Sequence, residues 1–126
     1  MLSDSARTAP EAAAAVGCEV GQIVKSLVFV RDEVPVMVLC AGDRRVDTKR
    51  LGLRPASAEQ ARGATGFAIG GIPPLGHMRE LATLVDASLR RFETVWCAAG
   101  TPHAVFEVGT EALIGAIEQA TVLEVA

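Results

Sequence analysis

Apolar positions along this chain come as short near-continuous blocks and as helix-spaced patches, each bounded by glycine, proline or capping residues. Residues 22–30, QIVKSLVFV, are apolar at nearly every position, the pattern of a buried strand, with Lys25 in its middle. Arg31, Asp32 and Glu33 read as a hairpin turn into a second strand over residues 34–40, with Pro35 near its start, where a missing donor is tolerated. Ahead of the first strand, Thr8 is placed to cap a short helix over residues 10–16, with Pro10 in its first turn and Gly17 past its end. Asp47 can cap a short helix through Leu51, and Ser57 to Gln60 has the capping-box pattern of a helix running to about Arg62. Residues 81–85 and 94–99 read as core strands, and residues 104–108 pair with the latter across the turn Gly100-Thr101-Pro102-His103. A helix over residues 111–119, apolar at Leu113, Ile114 and Ile117, closes the chain.

Consecutive hairpins mixed with short helices predict an α+β fold with a mixed, largely antiparallel sheet. With 126 residues, half of them hydrophobic, the chain is expected to form a single domain, residues 1–126, around one core. No apolar stretch is long enough to span a membrane and the first residues lack the apolar block of a signal peptide, so a soluble, cytoplasmic protein is expected. Cys18, Cys40 and Cys97 are odd in number, widely spaced and set among apolar neighbours, which reads as buried thiols in a reducing compartment. His77 and His103 without any C-x-x-C pair do not make zinc spacing, so neither metal nor cofactor is expected.

The formal net charge of −3 argues against a uniformly basic nucleic-acid binder, but the charges are unevenly spread. Arg44, Arg45, Lys49, Arg50, Arg54 and Arg62 supply half of the 12 cations, against Asp43, Asp47 and Glu59 nearby. Beyond Arg91 the chain carries glutamates and no Lys or Arg, so one face is suited to phosphates and another repels them. A solvated helix face of mixed charge is the plain alternative.

Two stretches carry chemistry. The run Gly66-Phe67-Ala68-Ile69-Gly70-Gly71-Ile72-Pro73-Pro74-Leu75-Gly76 combines backbone freedom with proline stiffness, the composition of a rim of main-chain amides able to hold an ester carbonyl or an oxyanion. A tight turn between strands would look the same. Lys25 is costly inside an apolar strand, so its ammonium either reaches an edge or points into a polar cleft that receives an anion.

Together with Gly21-Gln22-Ile23-Val24-Lys25-Ser26, Gly42-Asp43-Arg44-Arg45-Val46-Asp47, Leu84-Val85-Asp86 and Ala98-Ala99-Gly100-Thr101-Pro102-His103, these stretches make the chain resemble the YbaK-like aminoacyl-tRNA deacylases, relatives of the editing domain of bacterial prolyl-tRNA synthetase. The resemblance implies a curved, barrel-like sheet flanked by short helices. It also implies hydrolysis of the ester between an amino acid and the terminal ribose of tRNA, with a substrate hydroxyl assisting the water. Carried over residue by residue, Lys25 matches the lysine contacting the terminal nucleotide. Gly70, Gly71 and Ile72, with Pro73 and Pro74, match the loop whose amides hold the ester. Ser26, Asp86, Ala99, Gly100 and His103 match substrate-pocket positions, and Arg44, Arg45, Lys49 and Arg50 are expected to meet the tRNA. Asp86 reads first as a helix N-cap and only then as a chemical group, while Ser26 reads equally as a core hydroxyl and His103 as a surface turn residue.

Relatives begin with a further helix and strand ahead of the segment matching Thr8 to Gly17, so an unpaired sheet edge is expected here, leading to a homodimer or to instability. Val105 stands where the cysteine-removing members carry an aspartate, which turns the expectation to tRNA for proline charged with alanine, serine, threonine or 2-aminobutyrate. A transient complex with a synthetase is the expected partner arrangement. Two alternatives stay open: a non-catalytic relative that binds tRNA or an aminoacyl-adenylate, and a hydrolase of small esters.

Overall fold

The computed structural model describes residues 8–66, 72–74, 81–99 and 104–126. Thr8 accepts from the Glu11 amide while the Glu11 carboxylate accepts from the Thr8 amide, and this capping box starts helix α1, Ala9–Val16. Gly17 ends α1 in the left-handed region at φ 77°, and a 3-10 turn, Val20–Gln22, leads to strand β1, Val24–Arg31. Asp32 and Glu33 both adopt positive φ, 50° and 67°, as a two-residue hairpin loop requires, and the chain returns as β2, Val34–Ala41.

Asp47 caps α2, Thr48–Leu51, and the two-residue β3, Arg54–Pro55, follows. Ser57 and Gln60 form the expected capping box of α3, Ala58–Thr65, which runs past Arg62 because Ala64 and Thr65 are buried. β4, Ala82–Asp86, gives way to a 3-10 turn, Ala87–Arg91, and then β5, Thr94–Ala98, pairs with β6, Val105–Gly109. Helix α4, Thr110–Ala116, stops short of the expected Gln119, and residues beyond it form an unanticipated strand β7, Ala120–Leu123. The backbone groups of β7 find partners along β4, a nonlocal pairing that local helix propensity does not register.

The larger sheet has the order β3-β1-β2-β4-β7. Its β1/β2 and β1/β3 pairs are antiparallel, whereas β2/β4 and β4/β7 are parallel; β5/β6 is an antiparallel pair of its own. The mixed α+β fold is therefore as the sequence predicts. The two sheets meet at a parallel bridge between Ile23 and Trp96. The run over residues 22–30, expected as a buried strand, is mostly half-buried as β1, and β2 is the strand buried on both faces: Met37, Leu39 and Ala41 pack on one face with Val24, Val85 and Val95, and Val36, Val38 and Cys40 pack on the other with Leu84, Leu53 and Val125. Among the described residues, no helix is long and apolar enough to cross a membrane.

Both inner thiols are hidden in this packing, Cys40 and Cys97 at 0% exposure. Burial pushes the Cys97 thiol up to about 12 from the ordinary 9.0. Cys40 rises to about 11, burial outweighing the opposing pull of the Lys25 charge. A pKa raised on folding stabilises the fold fully below the unfolded value of 9.0 and is lost as pH climbs through 11 and 12. Denaturant midpoints should accordingly stay level up to pH 9.0 and fall between there and 12, with both thiols silent to a thiol reagent in the folded protein at the lower end. Rapid labelling of native protein below that window would contradict this account.

Candidate functional site

Along its outer edge β1 is paired at two separate places. Ile23, just before the strand, bridges Trp96 of β5, and Phe29 and Val30 pair with β3. Between these points no described strand covers the edge, and a cavity of about 410 Å3 opens there. Its wall includes Val24, Lys25, Ser26 and Leu27 in unbroken succession. A strand shows only alternate side chains on one face, so four consecutive residues reach one cavity only where it lies beside the strand and takes main chain and both sides of the pleat.

This edge position explains how Lys25 and Ile72 share a cavity. Lys25 lies opposite Cys40, on the face of the second core cluster, whereas the buried Ile72 packs with Val24 and Leu39 in the first. Both line the cavity where it passes around β1. The Lys25 ammonium donates to the Arg44 carbonyl at 2.6 Å, an anchor that holds the charge at the sheet edge. The same carbonyl lies 3.6 Å from the Cys40 thiol, and the Arg44 amide donates to the Ala41 carbonyl, so the turn after β2 carries the anchor. Ser26 points the other way, and its Oγ is buried with no hydrogen-bond partner among the described residues. A buried hydroxyl without a partner is costly, and an incoming polar ligand would satisfy it.

Of the other walls, Ala98 and Val105 fall where the sequence had pointed, whereas Trp96 and the α1 residues do not. On β5, Val95 and Cys97 enter the core, so Trp96 and Ala98 face outward together, with Val105 of β6 paired beside Ala98. Thr8, Ala9, Pro10 and Ala12 of the α1 region form a further wall. Gly42 completes it, because a side chain there would strike the Val20 carbonyl and Ala9. The sequence signals were Gly42 within the motif Gly42 to Asp47, Ala98 within the motif Ala98 to His103, and Val105; nothing local marks the helix as a cavity wall.

The remaining expected site residues are distributed as follows. Asp86 is fully buried and does not line the cavity: one carboxylate oxygen accepts from the Ser88 amide at 2.9 Å as an N-cap, and the other accepts from the Ala41 amide at 3.1 Å. It thereby ties the end of β4 to the end of β2, just before the turn that anchors Lys25. Pro73 is half-buried and Pro74 buried. The Ala99 amide donates to the Ala104 carbonyl at the base of the β5/β6 hairpin. Gly70, Gly71, Gly100 and His103 lie outside the described residues.

Of the four cations expected to meet tRNA, Arg44 pairs with Glu124 at 2.7 Å, and Arg50 donates to the carbonyls of Glu124 and Ala126. These two tie the C-terminal segment to the anchoring turn, where the Asp47 amide also donates to the Val125 carbonyl. Arg45 and Lys49 are exposed and enter no ion pair among the described residues. Arg91 holds Asp43 in a two-pronged pair of 2.9 and 3.0 Å that lowers the Asp43 carboxyl below its ordinary range.

Residues 3–116 match the family model described as an aminoacyl-tRNA editing domain. A solved structure of a candidate trans-editing enzyme for prolyl tRNA synthetase superposes with a TM-score of 0.86 at 47% identity, covering 94% of this chain and 78% of that one. The uncharacterized protein YwhH of Bacillus subtilis is 32% identical over 112 residues, 82% of this chain and 71% of that protein. EbsC of Enterococcus faecalis, a candidate Cys-tRNA(Pro)/Cys-tRNA(Cys) deacylase, is 24% identical over 120 residues, 89% of this chain and 73% of that protein.

Proposed function

The chain belongs to the aminoacyl-tRNA editing domain family, and from that premise we propose that it deacylates tRNA for proline mischarged with alanine, serine, threonine or 2-aminobutyrate. The observation that carries this reading is the shared cavity, whose lining brings together Lys25, Ser26 and Ile72. At about 410 Å3 it is of the size that receives a small ligand, here an aminoacylated ribose.

In this reading water adds to the ester carbonyl, the bond to the ribose oxygen breaks, and a free amino acid and a ribose hydroxyl leave. Main-chain amides of Gly70, Gly71 and Ile72 hold the carbonyl oxygen as charge develops on it. The Lys25 ammonium holds the terminal nucleotide, and a neighbouring ribose hydroxyl orients the water, so that positioning supplies the rate. The Ser26 hydroxyl, without a partner among the described residues, accepts from the substrate's α-ammonium. Ile72, Ala98 and Val105 give an apolar wall suited to a small side chain. Arg45 and Lys49 remain available for the tRNA phosphates, and association with a synthetase would raise the effective substrate concentration.

The test is a panel of aminoacyl-tRNAs and minimal aminoacyl esters. Release of free alanine or serine from tRNA for proline, with larger residues spared, is expected. Binding without release from any member would replace this reading with a non-catalytic tRNA-binding one, and release from minimal esters alone would make the protein a small-ester hydrolase.

A further inference from the structure

The two ends of the cavity differ in chemistry. Ile23 bridges Trp96 in a parallel sense, so moving two residues along both strands leads from the Ile23/Trp96 end to the Lys25/Ala98 end. That step spans about 7 Å. One end is aromatic and apolar, where the half-buried Trp96 packs along the Ala12, Ala13 and Ile23 cluster and lines the cavity; the other holds the ammonium, Ile72 and the Ser26 hydroxyl, which has no partner among the described residues. Glu107 pairs across from Trp96 on the same face, its carboxylate accepting from Thr94 at 2.9 Å, so negative charge disfavours phosphate at the aromatic end.

We propose that Trp96 is the platform for the terminal adenine of the substrate, with the base against its ring and the 3′-ester at Lys25, Ser26 and Ile72. This rests on the deacylase reading above, whose substrate carries the 3′-terminal adenosine common to tRNAs. The span of a nucleoside from base to 3′-ester matches the two-residue step, and stacking on an aromatic ring needs no complementary hydrogen bonds. The cavity wall at Trp96 supplies that ring next to apolar surface, and the charged group capable of holding sugar or phosphate lies at the far end.

Trp96 is the single tryptophan of a chain without tyrosine, so its fluorescence reports this end directly. A hydrolysis-resistant 3′-alanylamido adenosine should quench the emission to saturation, and the same amide on methyl riboside, which has no base, should leave it unchanged. In kinetics, Trp96→Leu should raise KM for 3′-alanyl-adenosine about tenfold, with kcat and the KM for the base-free ester unchanged, and Trp96→Phe should keep most of the wild-type KM. Equal quenching by both amides, or an equal loss on both esters, would overturn the proposal and leave Trp96 a packing residue. Failure of the wild-type protein to release amino acid from any mischarged tRNA for proline would sink the deacylase reading instead, while the fluorescence titration still decides the base site in the unsubstituted protein.

Discussion

Lys25→Ala should lower kcat/KM on mischarged tRNA about a hundredfold, the loss expected when one charged donor aimed at the reacting end of a substrate is removed. The ammonium is fixed by the Arg44 carbonyl at 2.6 Å, so its position at the cavity edge precedes substrate binding and costs little reorganisation. The fold should tolerate the change. Lys25 is half-buried, and its alanine variant leaves the β1/β2 ladder and the neighbouring Cys40 contact to the Arg44 carbonyl intact. Lys25→Arg should not restore activity, because a planar fork cannot occupy the site of a compact ammonium anchored to one carbonyl. Unchanged thermal unfolding together with lost turnover is the expected pair of results. Full turnover by Lys25→Ala would remove the lysine from the reaction.

Gly42→Val should destabilise the fold by about 3 kcal/mol, at the upper end of overpacking costs. A Cβ at this position would stand 2.4 Å from the Val20 carbonyl oxygen, 2.9 Å from the Ala9 Cβ and 3.1 Å from the Ile23 carbonyl oxygen. Two of these are backbone atoms, which cannot swing aside as the end of a long side chain can. Relief must come from moving the 3-10 turn Val20–Gln22 and helix α1, and α1 is a wall of the cavity. Substrate KM should therefore rise along with the fall in the denaturant midpoint. Gly63→Ala, with nothing within 4 Å of its Cβ, is the control that should leave both unchanged or improve stability. A Gly42 variant with wild-type midpoint and KM would show that the close approach carries no strain.

Much of the architecture was legible because it is written in local signals. The capping boxes at Thr8 and Ser57, the cap at Asp47 and the Asp32-Glu33 turn each involve residues within a few positions of one another. Strand β2 was legible from the turn that precedes it, whereas its burial on both faces depends on the elements packed around it. β7 was not, since Ala120–Leu123 is a weak apolar run that becomes a strand by pairing with β4. Of the site, Lys25 stood out as a charge in an apolar strand, and Ile72 through the motif that contains it. Asp86 was visible as an aspartate after a strand, but its second role, accepting from the Ala41 amide, depends on the parallel β2/β4 pairing.

Residue order alone was enough for the α+β class, the hairpins, the helix starts and Lys25 as the anomalous charge, since steric and hydrogen-bonding preferences over a few residues settle these. The cavity itself came from long-range pairing. It exists because β3 and β5 meet β1 at separate places and leave an edge open between them, and because α1 closes over the interval at Gly42. No short window of sequence contains the spacing between two strands that join a third from different parts of the chain. That spacing brings Trp96, Lys25 and Ile72 around a single space.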